Sequence, residues 1–519
     1  MNKPKQLFNP SIGICLGLLL CLLITVSLTG CNRSSCPWTQ DIVQFKNIVL
    51  ETHPRFAHED LASQAHNIQA KATFETAVEQ LLQRLPYLTD AEIVVELHRT
   101  ASILGDNHFD IILSQLEPTG ETAIYPLSFR WLTDGFYLLT TVESFEHALN
   151  HRIAYINGRE IDEVFESFRN LWNVENIYNA KSTFARLLNN PVMLDAIGLY
   201  YDKQVTFALT NADGALAEVT LTKNDQILVD TLTAVSFPIF PIHSNESDNL
   251  PMFMDIRGSN GTGHNWFYFI EKYEILYIRL ELYMQNINPE TGMFAPFVED
   301  VKAAFETKSP VAVVIDARYN PGGDNAYLAD LFEFLAQHTT PGMLFHFIDE
   351  GSMSASLLGA AHLKSLGATL VGQPIGQNTD FFGFHTGSSA PNTHESLFFS
   401  DLSMFDDADP DDYVTLGIGS NVYPYTEVIT ITVREILEMA QNSSDNPSTN
   451  PPNNTSTNHI LSNSNILINI PNVVVSASYM YNLDLEHYTI RPHVLIDYTI
   501  RNWIDGVDPL LDYVVGLLR

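Results

Sequence analysis

Between Ile275 and Gly372 short apolar runs alternate with amphipathic stretches, and this alternation constrains the chain more than any other feature. Ile275 to Leu280 and Val311 to Asp316 read as strands, Ala326 to His338 as a helix, and Met343 to Ile348 as a strand; Ser354 to Leu366 then reads as a helix and Ala368 to Gly372 as a strand. Strands that alternate with helices must be layered, so this region predicts an α/β layer structure.

The remainder follows other periods. From Trp38 to Ile112 the pattern is helical, and Thr89 and Glu92 have capping-box spacing ahead of Ile93, Leu97, Ala101 and Leu104. A β-rich stretch follows, in which Leu127, Phe129 and Trp131 alternate with polar residues and Asp134-Gly135 and Asn157-Gly158 mark tight turns. Within it Glu160 to Trp172 and Thr183 to Leu199 read as helices, and Val205 to Leu221 as a hairpin. Residues 241–266 look like a connecting loop, and 441–465, rich in Asn, Ser and Pro, bury too little apolar surface to order themselves and read as a flexible insert. Pro509 to Leu518 reads as a C-terminal helix. The expected organisation is multi-domain α/β, α+β overall: a helical domain over 38–118, a β-rich domain over 119–225, and an α/β domain over 226–519 that carries the insert.

The 519 residues include 61 Asp or Glu against 27 Lys or Arg, a formal charge of −34. With no basic block or stripe, such a surface excludes nucleic acid as a partner. Lys3 and Lys5 precede an uncharged apolar run from Ser11 to Leu28 that stops at Leu28-Thr29-Gly30-Cys31, the layout of an export signal over residues 1–30. Cys15 and Cys21 would leave with it, and Cys36 would be the one free thiol in a tether over 31–37. A disulfide framework and a cysteine nucleophile are thereby excluded. The His and acid positions show neither HExxH nor EF-hand spacing, so no metal site and no cofactor are expected.

Two turns bear on chemistry. Val311 to Asp316 runs into Ala-Arg-Tyr-Asn-Pro-Gly-Gly323 just before a helix, where free backbone N–H groups and the helix dipole point the same way, as an oxyanion hole requires. After the next strand comes Gly351-Ser-Met-Ser354-Ala-Ser356 and a second helix. A serine in that position either caps the helix or presents its hydroxyl to a cleft.

These elements together resemble the S41 peptidases, the family of C-terminal processing proteases and tricorn core proteases. The likeness rests on Asp316-x-Arg318-x-Asn320-Pro-Gly-Gly323, the serine turn, and Gly367-Ala-Thr-Leu-Val-Gly372-Gln-Pro374. Gly105-Asp106-Asn107-His108 resembles the family's G-D-x-H element and Ile153-Ala-Tyr-Ile-Asn157-Gly158 a fragment of its PDZ-like module. Glu486-His-Tyr-Thr-Ile490-Arg-Pro492-His493 and Gly506-Val-Asp508-Pro509 resemble its C-terminal signature. The resemblance implies a PDZ-like middle domain and an S41-type, ClpP/crotonase-like catalytic domain. Separately, Leu28-Thr29-Gly30-Cys31 resembles the lipobox of a bacterial lipoprotein signal, which implies cleavage after Gly30 and a lipid on Cys31.

The family's serine–lysine variant needs a lysine where this chain has Asn378, and Lys364 is misplaced within the serine helix. The tricorn-like variant is therefore the one implied, with Ser354 as nucleophile, His108 as general base and Glu486 as the orienting acid, Asp484 and Glu395 being fallback acids. Gly323 and Ala355 would supply the oxyanion hole and Gly322 shape its turn, while Asp316 and Arg318 would pair to hold it. Thr489 replaces a glycine and His493 an aspartate of the family pattern. The implied function is an extracytoplasmic, membrane-anchored serine peptidase that hydrolyses peptides or unfolded proteins through an acyl-enzyme, at the cell membrane or outer membrane. The alternatives are an inactive peptide-binding lipoprotein on the same fold, or an esterase with the same triad.

Overall fold

A computed structural model describes residues 37–111, 121–200, 203–211, 214–230, 242–243, 265–284, 296–324, 326–383, 413–419, 426–432, 458–460, 467–469, 473–481, 483 and 489–519. The signal, Cys31, Cys36, Glu395, Asp484, Glu486 and most of the 441–465 insert lie outside these. No helix among the described residues is long and apolar enough to cross a membrane.

The first region is helical, with α1 Pro37–Thr52, α2 Ala65–Arg84 and α3 Asp90–Ala101. Thr89 and Glu92 do form the capping box: the Thr89 side chain accepts the Glu92 N–H while the Glu92 carboxylate accepts the Thr89 N–H. Phe45, Val49, Phe74, Val78, Leu97 and Leu104 are buried together between the helices, and Phe109, just past His108, joins them.

The second region is an antiparallel sheet of β1 Leu127–Leu132, β2 Gly135–Thr141, β3 Arg152–Ile156, β4 Gln204–Thr210 and β5 Leu216–Thr222, each paired with the next. Helices α4 Ile161–Arg169 and α5 Ile177–Leu187 lie between β3 and β4 in the chain and pack on the sheet through Phe165, Phe168 and Phe184 against Phe129, Phe136 and Phe207. The helix expected from Thr183 to Leu199 is two: α5 stops, Asn190 caps a new turn, and Pro191 occupies its first position. Inside one continuous helix Pro191 would clash with the preceding turn and leave a carbonyl unpaired, whereas at a helix start its fixed φ costs nothing.

The third region is a six-stranded sheet in the order β6 Asn265–Ile270, β7 Ile275–Leu280, β8 Ala312–Asp316, β9 Leu344–Ile348, β10 Thr369–Gly372 and, across a long connection, β13 Val494–Leu495. Only β6–β7 is antiparallel; the other pairs are parallel. Side-chain alternation divides its strands between two cores. Leu276, Ile278, Val313 and Ile315 face α6 Phe297–Lys308 and α7 Ala329–His338, whereas Ile275, Tyr277, Val314 and Phe347 face Trp503, the C-terminal helix α9 Pro509–Leu517 and the β1–β2 hairpin of the second region. Helix α8 Ala355–Ser365 follows β9, and the short strands β11 Asp380–Gly383 and β12 Val473–Ser476 pair after β10. The architecture is a helical, a β-rich and an α/β layer combined, α+β overall.

Of the insert, Asn458–Ile460 is described: it pairs with Leu467–Asn469, which in turn pairs with Asp110–Ile111, two residues beyond His108.

Candidate active site

The two turns singled out in the sequence leave the carboxyl ends of adjacent parallel strands, β8 and β9, where open α/β sheets place their ligand sites. They are stitched together. The Met353 N–H donates to Asn320 O at 3.0 Å and Ser352 Oγ to Ala317 O at 3.0 Å. Asn320, fully buried, shapes the first turn by accepting the Gly322 N–H at 2.8 Å and donating from Nδ2 to Leu280 O at 2.9 Å.

Gly322 adopts φ +107°, and a Cβ there would lie 2.6 Å from Ser354 Cβ and 2.9 Å from Ala355 N. The missing side chain lets the two turns touch. Gly323, at φ +132°, lies against Tyr283, whose carbonyl a Cβ would strike. Among the described residues no hydrogen bond leaves the Gly323 or Ala355 amide.

Ser354 precedes α8 with φ +55° and ψ −123° and makes no side-chain capping bond. The ψ lies outside even the left-handed helical basin, so a β-carbon-bearing residue is held there at a cost of about 1–3 kcal/mol. Of the two uses open to a serine at this position, capping is the one it does not make.

A buried ion cluster braces this half. Asp316 receives Arg318 Nε at 3.0 Å on both oxygens and a further bond from Nη2, and Arg318 Nη2 reaches Asp508 at 2.8 Å. Burial alone would raise the Asp316 pKa, but the Arg318 charge and hydrogen bonds, with Arg279, bring it below its ordinary value. Asp508 also caps α9 by accepting the Leu510 and Leu511 N–H groups, so the C-terminal signature anchors the 316–323 turn. Asp349 accepts the Tyr319 N–H at 2.8 Å and fixes the turn from the serine side.

His108 arrives from the helical region, 7% exposed, with its ring stacked on Phe381 at 5.3 Å. Asp106 organises its turn: one oxygen accepts the His108 N–H at 2.9 Å and the other meets His53 Nε2 at 2.9 Å, with both of these side chains fully buried. The second region completes the turn. Asn173, between α4 and α5, accepts the Asp106 N–H at 2.8 Å and donates to the Asp106 and Phe109 carbonyls. Glu175 accepts from Asn107 N at 3.3 Å and Asn378 N at 2.9 Å. Burial, and then the neighbouring Asp106, push the Glu175 carboxyl up to about 8, while burial holds the His108 imidazole below its ordinary pKa against the pull of Asp106.

Gln377, in the loop between β10 and β11, joins the two halves. Its Oε1 accepts the Ser354 N–H, and its Nε2 lies 3.1 Å from His108 Nδ1, 3.0 Å from Asn107 Oδ1 and 3.3 Å from Glu175 Oε1. Ser354 and His108 thus share an amide as partner; no direct hydrogen bond joins them. Asp106, His108 and Glu175 are the group among the described residues whose ligand atoms, all within 4.8 Å of one another, lie close enough to share a metal ion. Both carboxylates in that group already serve N–H donors.

No protein-family model matches the chain, and no curated relative does. Solved structures do. Mature CPAF complexed with lactacystin is similar at a TM-score of 0.51 and 12% identity, over 92% of this chain and 97% of that one. The photosystem II D1 C-terminal processing protease matches at 0.34 and 12%, over 92% and 96%. A putative S41 protease from Bacteroides fragilis NCTC 9343 matches at 0.31 and 9%, over 92% and 96%. The chain has the fold of mature CPAF.

Within that fold Asn378 has its N–H on Glu175, and Lys364 lies within α8. His493 has a role of its own, since its Nδ1 accepts the Leu370 N–H at 2.9 Å and its N–H returns to Leu370 O at 2.8 Å. Thr489 donates to Ile375 O, which sets this end of the C-terminal segment beside the Gln377 loop. His53, Asn173, Glu175 and Gln377 did not stand out in the sequence. Asn173 and Glu175 lie in a polar break between two amphipathic helices, and Gln377 lies next to Asn378, where the family's other variant carries its lysine; those positions are the signal the sequence offers.

Proposed function

We propose that this protein is a serine peptidase of the tricorn-like S41 kind, acting on peptides or unfolded proteins. The observation that carries the reading is Ser354: a strained residue between strand and helix, whose hydroxyl leaves the helix uncapped and whose Cβ is accommodated by Gly322. In the proposed reaction Ser354 Oγ attacks the peptide carbonyl as His108 takes its proton. The oxyanion forms against the Gly323 and Ala355 N–H groups, shaped by Gly322. The C–N bond then breaks as His108 returns the proton to the leaving amine, and water releases the acyl group by the same route. Glu486 remains the proposed acid partner of His108.

The location is part of the proposal: Cys31, lipidated after signal removal, would tether the enzyme outside the cytoplasm at the cell or outer membrane, and the PDZ-like sheet would receive a substrate C-terminus on a strand edge. The test is a serine-reactive fluorophosphonate probe followed by digestion of an unfolded protein. Labelling and cleavage are expected in the wild type and neither in Ser354→Ala; equal labelling of both would remove the nucleophile. An inactive peptide-binding protein is the second reading, favoured by the Gln377 side chain standing between Ser354 and His108. Peptide binding without labelling would select it, and turnover of esters but not peptides would select an esterase.

A further inference from the structure

The orientation of the Gln377 amide is fixed by chemistry. A backbone N–H only donates, so the atom that meets the Ser354 N–H is the amide oxygen and the atom 3.1 Å from His108 Nδ1 is the NH2 group. Turning the amide over would press one N–H donor against another. His108 Nδ1 therefore faces a donor, one of three acceptors with Asn107 Oδ1 and Glu175 Oε1 around the two hydrogens of that NH2, and a neutral imidazole whose Nδ1 accepts carries its hydrogen on Nε2. An imidazolium, protonated on both nitrogens, has no lone pair for this bond, and the burial that depresses the His108 pKa acts in the same direction.

A general base needs an available lone pair. In this arrangement the Nδ1 lone pair is engaged by Gln377 and Nε2 holds a hydrogen, so neither nitrogen is ready to take the Ser354 proton, whichever one faces it.

We propose that Gln377 is a positioning residue that sets His108 in the Nε2–H tautomer, holding the site at rest until a peptide carbonyl takes over the Ser354 N–H and displaces the Gln377 side chain. The proposal rests on the reading of Ser354 and His108 given above. It names the displacing group by its chemistry, an extended peptide whose carbonyl competes with Oε1 for one donor.

Imidazole 15N spectra of the full chain, with the His108 signal assigned by its loss in His108→Ala, give a readout that does not depend on turnover. The wild type is expected to show Nε2 protonated and Nδ1 as acceptor; Gln377→Glu, whose carboxylate accepts, is expected to move the hydrogen to Nδ1. Gln377→Ala, which frees the Nδ1 lone pair and adds no charge beside Asp106 and Glu175, should label with the fluorophosphonate about tenfold faster or more, within what general-base assistance supplies, and covers the case in which Gln377→Glu does not fold. A wild-type hydrogen on Nδ1, or a folded Gln377→Ala that labels no faster than wild type, would overturn the proposal. If Ser354→Ala labels as the wild type does, the peptidase reading fails instead, and the tautomer spectrum still decides the role of Gln377.

Discussion

The two halves of the site are built in opposite ways. The serine half is local: its turns end neighbouring strands of one parallel sheet, and its braces Asn320, Arg318, Asp349 and Asp508 belong to the same α/β region. The histidine half is an assembly, in which one turn of the helical region is held by His53 from that region, Asn173 and Glu175 from the β-rich region, and Gln377 from the α/β region. A half built from one sheet is as rigid as the sheet. A half built where three regions meet is sensitive to how they sit, and in such an arrangement a moving part of the chemistry is expected to be the base and not the nucleophile.

The comparison breaks most severely at the buried ion cluster. Arg318→Ala leaves Asp316 and Asp508, 0% and 7% exposed, without their shared cation, and is expected to cost about 3–5 kcal/mol of stability, read as a fall in the denaturant midpoint. A loss below about 1 kcal/mol would mean that the serine half does not depend on this cluster.

Gly322→Ala comes next and strikes the rate. Its Cβ, 2.6 Å from that of Ser354, forces the turns apart, and displacing a donor of the proposed oxyanion hole is expected to cost about 10²–10³ in kcat. Fluorophosphonate labelling should slow by that order while the helical region melts as before. On the other side Asn173→Ala removes the partner of the Asp106 N–H and of the Asp106 and Phe109 carbonyls, for a cost of about 1–3 kcal/mol. Here the expected signature is reversed: the His108 spectrum changes and labelling slows, with the α/β region melting as before.

The same contrast explains what could be read without coordinates. Strand and helix periods located the α/β sheet, and the spacing from Asp316 to Gly323 and on to Ser354 located the serine half, because each constraint acts within a turn or between adjacent strands. Choosing between a capping and an exposed serine needed φ and ψ, which no pattern of residue types encodes. Asn173, Glu175 and Gln377 are polar residues in loops, joined to the His108 turn across 64 to 270 positions, and hydrophobic periodicity carries no information about such pairs. Pro191 was legible in principle as the start of a second helix. The long helix predicted across it gave apolar spacing too much weight over a known breaker.

The remaining expected effect, and the one that most sharpens the contrast, is a dependence on pH. Glu175 titrates at about 8 in the folded protein against an ordinary 4.5, through burial first and then the charge of Asp106, with His108 and Arg55 as its other ionisable neighbours. Between those values the folded state keeps a proton that the unfolded state has lost. Stability therefore falls as pH rises through the window, and the penalty is complete above about 8. Glu350, on the serine side, is raised to about 8 as well, so the wild-type slope has a contribution from each half. Glu175→Gln removes only the histidine-side contribution. At pH 5 the variant is expected to be the less stable protein, since one amide oxygen cannot replace two carboxyl oxygens accepting from Asn107 and Asn378. By pH 8.5 the difference should have moved in its favour, measured as the gap between denaturant midpoints. A gap independent of pH would mean that Glu175 is ionised throughout, and that charge attraction holds the three regions around His108 where the structure points to a neutral carboxyl.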